Sequence, residues 1–281
     1  MNRWSLKIAS PLGIGVYVHA SFLLIVAWVA FGRLQAGGGL GAVLESVLFL
    51  LALFGCVLLH ELGHAVAAAR YGIRTRDIIL LPIGGLARLE RMPTEPRQEL
   101  VVAIAGPLVN VAIAAVLWVW LSVTGTLVPA DQVGLTAGPF FERLLVVNLG
   151  LVVFNLLPAF PMDGGRVLRS VLAMRVGPLK ATRVAATIGK AMAGLFAVVG
   201  IFFNPFLLLI AFFIWTGASQ ERALAEARAR DPYGGWQPAA EARWVTPEER
   251  LRLAQLAAAR AQIAAEERRL LDELRRRGPG G

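Results

Sequence analysis

The sequence predicts an all-α polytopic membrane protein with about six transmembrane helices. Three observations carry that reading. The chain is 57% hydrophobic and only 17% charged, with a mean hydropathy of +0.63, whereas about a quarter of a soluble domain is charged. The apolar residues fall in long continuous runs, not in the alternating segments of about ten residues that build a membrane β-barrel. Basic residues crowd into a few of the stretches between those runs.

The runs lie at 11–32, 41–69, 99–123, 140–157, 184–203 and 205–218. The first follows Arg3 and Lys7 and lacks a small-residue cleavage site, so it reads as an anchor rather than a removed signal. The stretch 70–98 carries Arg70, Arg74, Arg76, Arg88, Arg91 and Arg97, and the stretch 166–190 carries Arg166, Arg169, Arg175, Lys180, Arg183 and Lys190. The loops at 33–40, 124–139 and 203–206 hold a single basic residue, Arg33. Basic loops stay in the cytoplasm, so about six spans with both termini inside satisfy every loop. The net charge of +9 is therefore assigned to topology and to anionic headgroups, and nucleic-acid binding is not expected. The lone cysteine, Cys56, excludes an internal disulfide and reads as a small packing residue beside the second run's polar group.

Between the second and third spans, "DIILLPIGGLARLE" at 77–90 is too short to cross a bilayer, and Pro82 with Gly84-Gly85 interrupts it. Two readings stand: a re-entrant β-hairpin, tolerated at membrane depth only against protein or water, and a cytoplasmic loop with an apolar patch. Residues 1–218 are expected to form the membrane domain, 219–245 a linker containing "DPYGGWQP", and 246–281 a cytoplasmic helical tail. Thr246, Pro247 and Glu249 supply an N-cap, a first-turn proline and a capping-box acid for a helix over 247–276. Its apolar stripe, Leu256, Ile263 and Leu270, is thin. Two readings stand: a solvated cytoplasmic helix, and a helix that docks on the membrane domain or pairs with a second copy in a homodimer.

The chemistry concentrates in "VLLHELGHAV", 57–66. His60 and His64 are one helical turn apart on one face, and Glu61 follows the first. This is H-E-x-x-H: two imidazoles for one metal and a carboxylate acid/base beside them. An ionisable residue inside a span is costly and marks function. Catalytic zinc takes three protein ligands and one open position. The chain has one further histidine, His19, early in the first span, read as an interior hydrogen bonder. The third ligand is therefore expected to be a carboxylate, and Asp163 in "FNLLPAFPMDGGR" stands out. Pro158 and Pro161 stop helical hydrogen bonding there, and Gly164-Gly165 permit close backbone approach. Asn110 and Asn148 are expected to join helices by hydrogen bonds.

The chain resembles the site-2 protease family of intramembrane zinc metalloproteases, peptidase family M50. The resemblance rests on His60-Glu61-Leu62-Gly63-His64, on Asn155-Leu156-Leu157-Pro158-Ala159-Phe160-Pro161-Met162-Asp163-Gly164-Gly165-Arg166, and on "AIAGPLVN" at 103–110 between them. It covers roughly residues 10–218, in a short plan without recognisable CBS repeats or a PDZ insertion. The resemblance implies one Zn2+ on His60, His64 and Asp163, Glu61 as catalytic acid/base, and Asn155 holding the substrate backbone or the oxyanion. It also implies a multi-pass protein of a bacterial or archaeal cell membrane, its active site toward the cytoplasm. The substrate would be a single-span membrane protein, such as a membrane-tethered transcription regulator or an anti-sigma factor. Competing readings are a membrane metal-binding or ion-handling protein and an inactive relative. The first would show internal repeats or ionisable residues strung along a path, and a pure binder has no use for Glu61.

Overall fold

The computed structural model describes residues 5–82, 84–93, 95–128 and 138–230, with seven helical positions between 255 and 269. The chain divides into a first unit, Met1–Ala225, and a second, Glu226–Gly281. The first unit is mostly helical but carries a small sheet. In order it holds β1 (Ser5–Ala9), β2 (Gly15–His19), α1 (Ser21–Gln35), α2 (Leu40–Ala69), β3 (Thr75–Leu81), β4 (Gly84–Leu89), α3 (Pro96–Thr124), α4 (Phe140–Asn155), α5 (Asp163–Val176), α6 (Pro178–Phe202) and the start of α7 (Phe206–Arg230). The expected linker, 219–245, is corrected as far as Arg230, where α7 continues as helix; the rest of it and most of the expected helix over 247–276 lie outside the described residues.

Among the described residues three helices, α2, α3 and α6, are long and apolar enough to cross a membrane, and α1 is a shorter apolar helix. At 1.5 Å per residue the 30 residues of α2 extend about 45 Å, well beyond a hydrocarbon core of about 30 Å. Local chemistry sets their ends. Pro96 occupies the first turn of α3, and Gly125 closes it in the left-handed conformation at φ 66°. Large apolar side chains cover the outer faces: Leu24 is 71% exposed, Trp28 76% and Val123 82%. Exposed apolar side chains of that size suit a lipid environment better than water.

The structure corrects the expected element plan in two places. The first is the sheet, of order β1-β2-β3-β4. The run at 11–32 is not one helix: β2 occupies its beginning, and α1 starts only at Ser21. A continuous apolar stretch satisfies a buried strand as well as a helix, and periodicity cannot separate them. Strand β2 pairs antiparallel with β1 and parallel with β3, Val16 opposite Ile78. The crossover between β2 and β3 is the α1–α2 pair. The stretch 77–90 does form a hairpin, Leu81 facing Gly84 at its tip. Arg88 on β4 pairs with Asp77 on β3 across it.

The second correction is α5. The basic stretch beginning at 166 is a helix, not a loop. Arg166, Arg169 and Arg175 alternate with Val167, Leu168, Val171 and Leu172, so charge counting hides an amphipathic period. Gly177, at φ 83°, and Pro178 separate α5 from α6.

Packing follows the same elements. Phe22 of α1 and Phe54 of α2 meet edge to face, 4.7 Å between centroids, over Leu80 of β3. Alanines let α2 approach α3, with Ala67, Ala68, Ile73 and Val102 in one cluster. The segment after α4 is buried by α6 and α7 through Ala159, Met162, Ala193 and Ile214.

Candidate metal centre

Helix α2 presents His60 and His64 from successive turns, both buried, toward the first residue of α5, Asp163, also buried. Three polar atoms converge. His60 Nε2 lies 3.1 Å from Asp163 Oδ2, His64 Nε2 lies 3.1 Å from the same oxygen, and the two Nε2 atoms are 3.1 Å apart. Among the described residues this is the one group of three His, Cys, Asp or Glu side chains with ligand atoms close enough to share an ion. Ligand bonds of about 2.0–2.1 Å in a tetrahedral zinc site place neighbouring ligand atoms about 3.3–3.4 Å apart. The observed triangle is within a few tenths of an ångström of that spacing.

The outer hydrogen bonds agree with a metal site. His60 Nδ1 stands 2.5 Å from Asn110 Oδ1, and His64 Nδ1 stands 2.7 Å from the Val102 carbonyl oxygen. Both partners are acceptors, so each Nδ1 carries the proton and each Nε2 keeps its lone pair. Two lone pairs and a carboxylate oxygen facing one another at contact distance call for a cation between them. Room for it comes from α3. A Cβ built on Gly106 would stand 2.6 Å from His60 Nε2 and closer still to His64 Nε2. Glycine is needed at 106 because any side chain would enter the metal's space.

Asp163 is held from both directions. The turn before it lies against Gly164 and Gly165: a Cβ on Gly165 would meet the Ala159 carbonyl carbon at 2.6 Å. Along α5, Arg169 donates to Glu99 of α3 and, at 3.2 Å, to Glu221 of α7, and its guanidinium lies 5.5 Å from the centroid of the buried Phe160 ring. That clamp ties the third ligand's helix to α3 and α7.

Glu61 points elsewhere. Its Oε2 accepts the Ala87 N–H of β4 at 3.2 Å. Ala87 sits opposite Ile78 in the hairpin, but its N–H goes to Glu61 instead of across the ladder, so it faces outward from the sheet. Strand β4 is last in the sheet order. The carboxylate thus rests on an edge strand, while its residue directly follows the ligand candidate His60 in α2. Asn155, in the last turn of α4, donates its amide to Leu151 O at 3.0 Å and is not one of the triangle's members. His19 is satisfied locally: its Nδ1 is 2.7 Å from Ser21 Oγ and accepts the Ser21 N–H at 3.2 Å. Asn110 and Asn148 do bridge α3 and α4, at 2.9 Å.

Sequence reasoning missed Gly106, the Val102 carbonyl and the Ala87 N–H. The "AIAGPLVN" segment contained a signal for the first, a glycine in an apolar helix that gains nothing from it in propensity. Backbone groups leave no trace in side-chain identity.

The family model for peptidase family M50 matches residues 48–136 and 126–199. One stretch contains His60, Glu61 and His64, and the other Asp163. The chain belongs to peptidase family M50. Among relatives of this M50 chain, a zinc metalloprotease of Methanocaldococcus jannaschii is 37% identical over 225 residues, covering 80% of this chain and 62% of the relative. Stage IV sporulation protein FB of Bacillus subtilis is 31% identical over 185 residues, covering 66% and 55%. The M50 chain thus spans a little over half the length of these curated relatives. The solved structure of a site-2 protease from Methanocaldococcus jannaschii matches with a TM-score of 0.56 at 36% identity, covering 78% of this chain and 95% of that one.

Proposed function

We propose that this chain is an intramembrane zinc metalloprotease, hydrolysing a peptide bond within or near a transmembrane segment of a membrane-protein substrate. The observation that carries the reading is the position of Glu61, next in sequence to His60 and hydrogen-bonded to an outward N–H of β4. Metal ligands, acid/base and a peptide-binding edge are thereby adjacent.

Zinc held by His60, His64 and Asp163 would supply Lewis acidity and lower the pKa of a water to about 7. Every other role falls to the chain. Glu61 takes the proton of the attacking water as its oxygen bonds the scissile carbonyl carbon, then returns that proton to the leaving nitrogen as the C–N bond breaks. Asn155, at the end of α4, would exchange its bond to Leu151 O for one to the substrate carbonyl oxygen as that oxygen gains negative charge. A substrate helix hides its backbone in its own hydrogen bonds and must unwind first. The unwound segment would add to β4 as a further strand, which presents its carbonyl beside Glu61. Read this way, β3 and β4 are a re-entrant hairpin lining a water-accessible site. The six apolar segments span with both termini cytoplasmic, and His60, in the last third of α2 before Arg70, lies toward the cytoplasmic face. The substrates that fit are single-span proteins, such as membrane-tethered transcription regulators or anti-sigma factors.

The test compares the purified chain with Glu61→Gln on a single-span substrate, with products mapped by mass spectrometry and zinc measured in both. Expected are equal zinc and a loss of cleavage of about 10²–10⁴-fold in the variant. Substantial turnover by Glu61→Gln removes Glu61 from the mechanism. Cuts confined to the substrate's soluble tails overturn the intramembrane assignment.

A further inference from the structure

Behind the metal ligands runs a line of buried amides with a fixed direction. Asn148, fully buried in α4, donates through Nδ2 to the Leu144 carbonyl of its own helix at 2.8 Å and lies 3.4 Å from Cys56 Sγ. A carbonyl oxygen only accepts, so the amide cannot turn over without setting two oxygens against each other. Asn148 Oδ1 therefore faces Asn110, which donates to it at 2.9 Å. Asn110, also fully buried, then has only its own Oδ1 to offer His60 Nδ1 at 2.5 Å. The direction set at a backbone carbonyl of α4 arrives at a metal ligand on α2.

We propose that Asn148 is a positioning residue that determines which ring nitrogen of His60 carries the proton, and so keeps the Nε2 lone pair free for the metal. Asn110 alone is ambivalent: turned over, it presents an NH2 to Nδ1, the proton moves to Nε2, and the lone pair needed for the ion is lost. Asn148 removes that alternative. The inference rests on the zinc-site reading, yet its first readout needs no metal. The chain has three histidines, so the 15N ring signals of His60 are assignable in metal-free protein with single His19 and His64 variants.

The experiment uses the full chain in detergent, measuring the His60 tautomer without metal and zinc affinity by chelator competition. Wild type should hold His60 as the Nδ1–H form. Asn148→Leu should move a measurable share to Nε2–H and weaken zinc by about 10–100-fold, the usual effect of losing a ligand's outer partner. Asn110→Asp added to Asn148→Leu should restore both, because a carboxylate has no donor to present. Asn148→Val serves with the same readouts should the leucine variant not fold. Unchanged affinity in Asn148→Leu overturns the proposal, as does weakened affinity with His60 still Nδ1–H, or failure of the aspartate to rescue. Absence of zinc from wild type with the tautomer pattern as expected would instead overturn the zinc-site reading and leave the relay standing.

Discussion

Replacing Gly106 by alanine tests the metal centre from outside its ligand set. The added Cβ would lie 2.6 Å from His60 Nε2 and nearer to His64 Nε2. Non-bonded heavy atoms rest about 3.5 Å apart, so the His60 nitrogen must retreat by about 0.9 Å and the His64 nitrogen by more. Functional constellations tolerate about 0.5 Å, and misplacement by about 1 Å costs about 10²-fold. Both rings are pinned at Nδ1 by Asn110 and Val102, so they cannot swing aside without breaking those bonds. The expected result is at least a 100-fold loss of zinc affinity and of cleavage. The remaining escape is for α3 to move from α2, an overpacking strain of about 1–3 kcal/mol that thermal unfolding in detergent would register. Gly55→Ala is the control, in the helix that carries the histidines, where a Cβ meets nothing within 4 Å. It should keep zinc and activity. A Gly106→Ala protein with stoichiometric zinc, full cleavage and unaltered unfolding would refute the reasoning.

Two further outcomes follow from the same geometry. In Gly85→Ala the new Cβ lies 2.7 Å from Glu61 Cγ, so the carboxylate is pushed away while the ligand triangle stays. Zinc should remain stoichiometric and cleavage should fall about 10-fold or more, and parallel loss of both would show that β4 also shapes the ligands. Arg169→Met leaves Glu99, whose side chain is 10% exposed, without its cation. Denaturant unfolding should show a loss of about 3 kcal/mol, and Glu99→Gln in the same chain should recover part of it.

The readable part of this protein was local. His60 and His64 share a face because a helix repeats every 3.6 residues, and the apolar runs announce their own helices. Asp163 was reachable by ligand counting, since the remaining histidine, His19, lies in a different apolar run and "PMDGG" could not continue the helix before it. Elements that depend on distant pairing were less legible. Strand β2 looked like the beginning of a span because its partner, β3, lies about sixty residues on, and an apolar run does not reveal whether its backbone bonds within itself or to a neighbour. Helix α5 was hidden by its arginines; the partners of Arg169, Glu99 and Glu221, lie on other helices.

The sequence by itself determined the membrane class, the two histidines and glutamate on one helix, and the identity of a candidate third ligand. All of these follow from residue type and from spacing along one element. Only the tertiary structure decided that Gly106 makes room between the ligands, that Asn148 aims Asn110 at His60, and that Glu61 rests on a backbone N–H of β4. Each of those joins elements that meet only once long loops have closed. Each also depends on a direction or an empty space, a donor's orientation or a missing Cβ, and neither is written in the order of the residues.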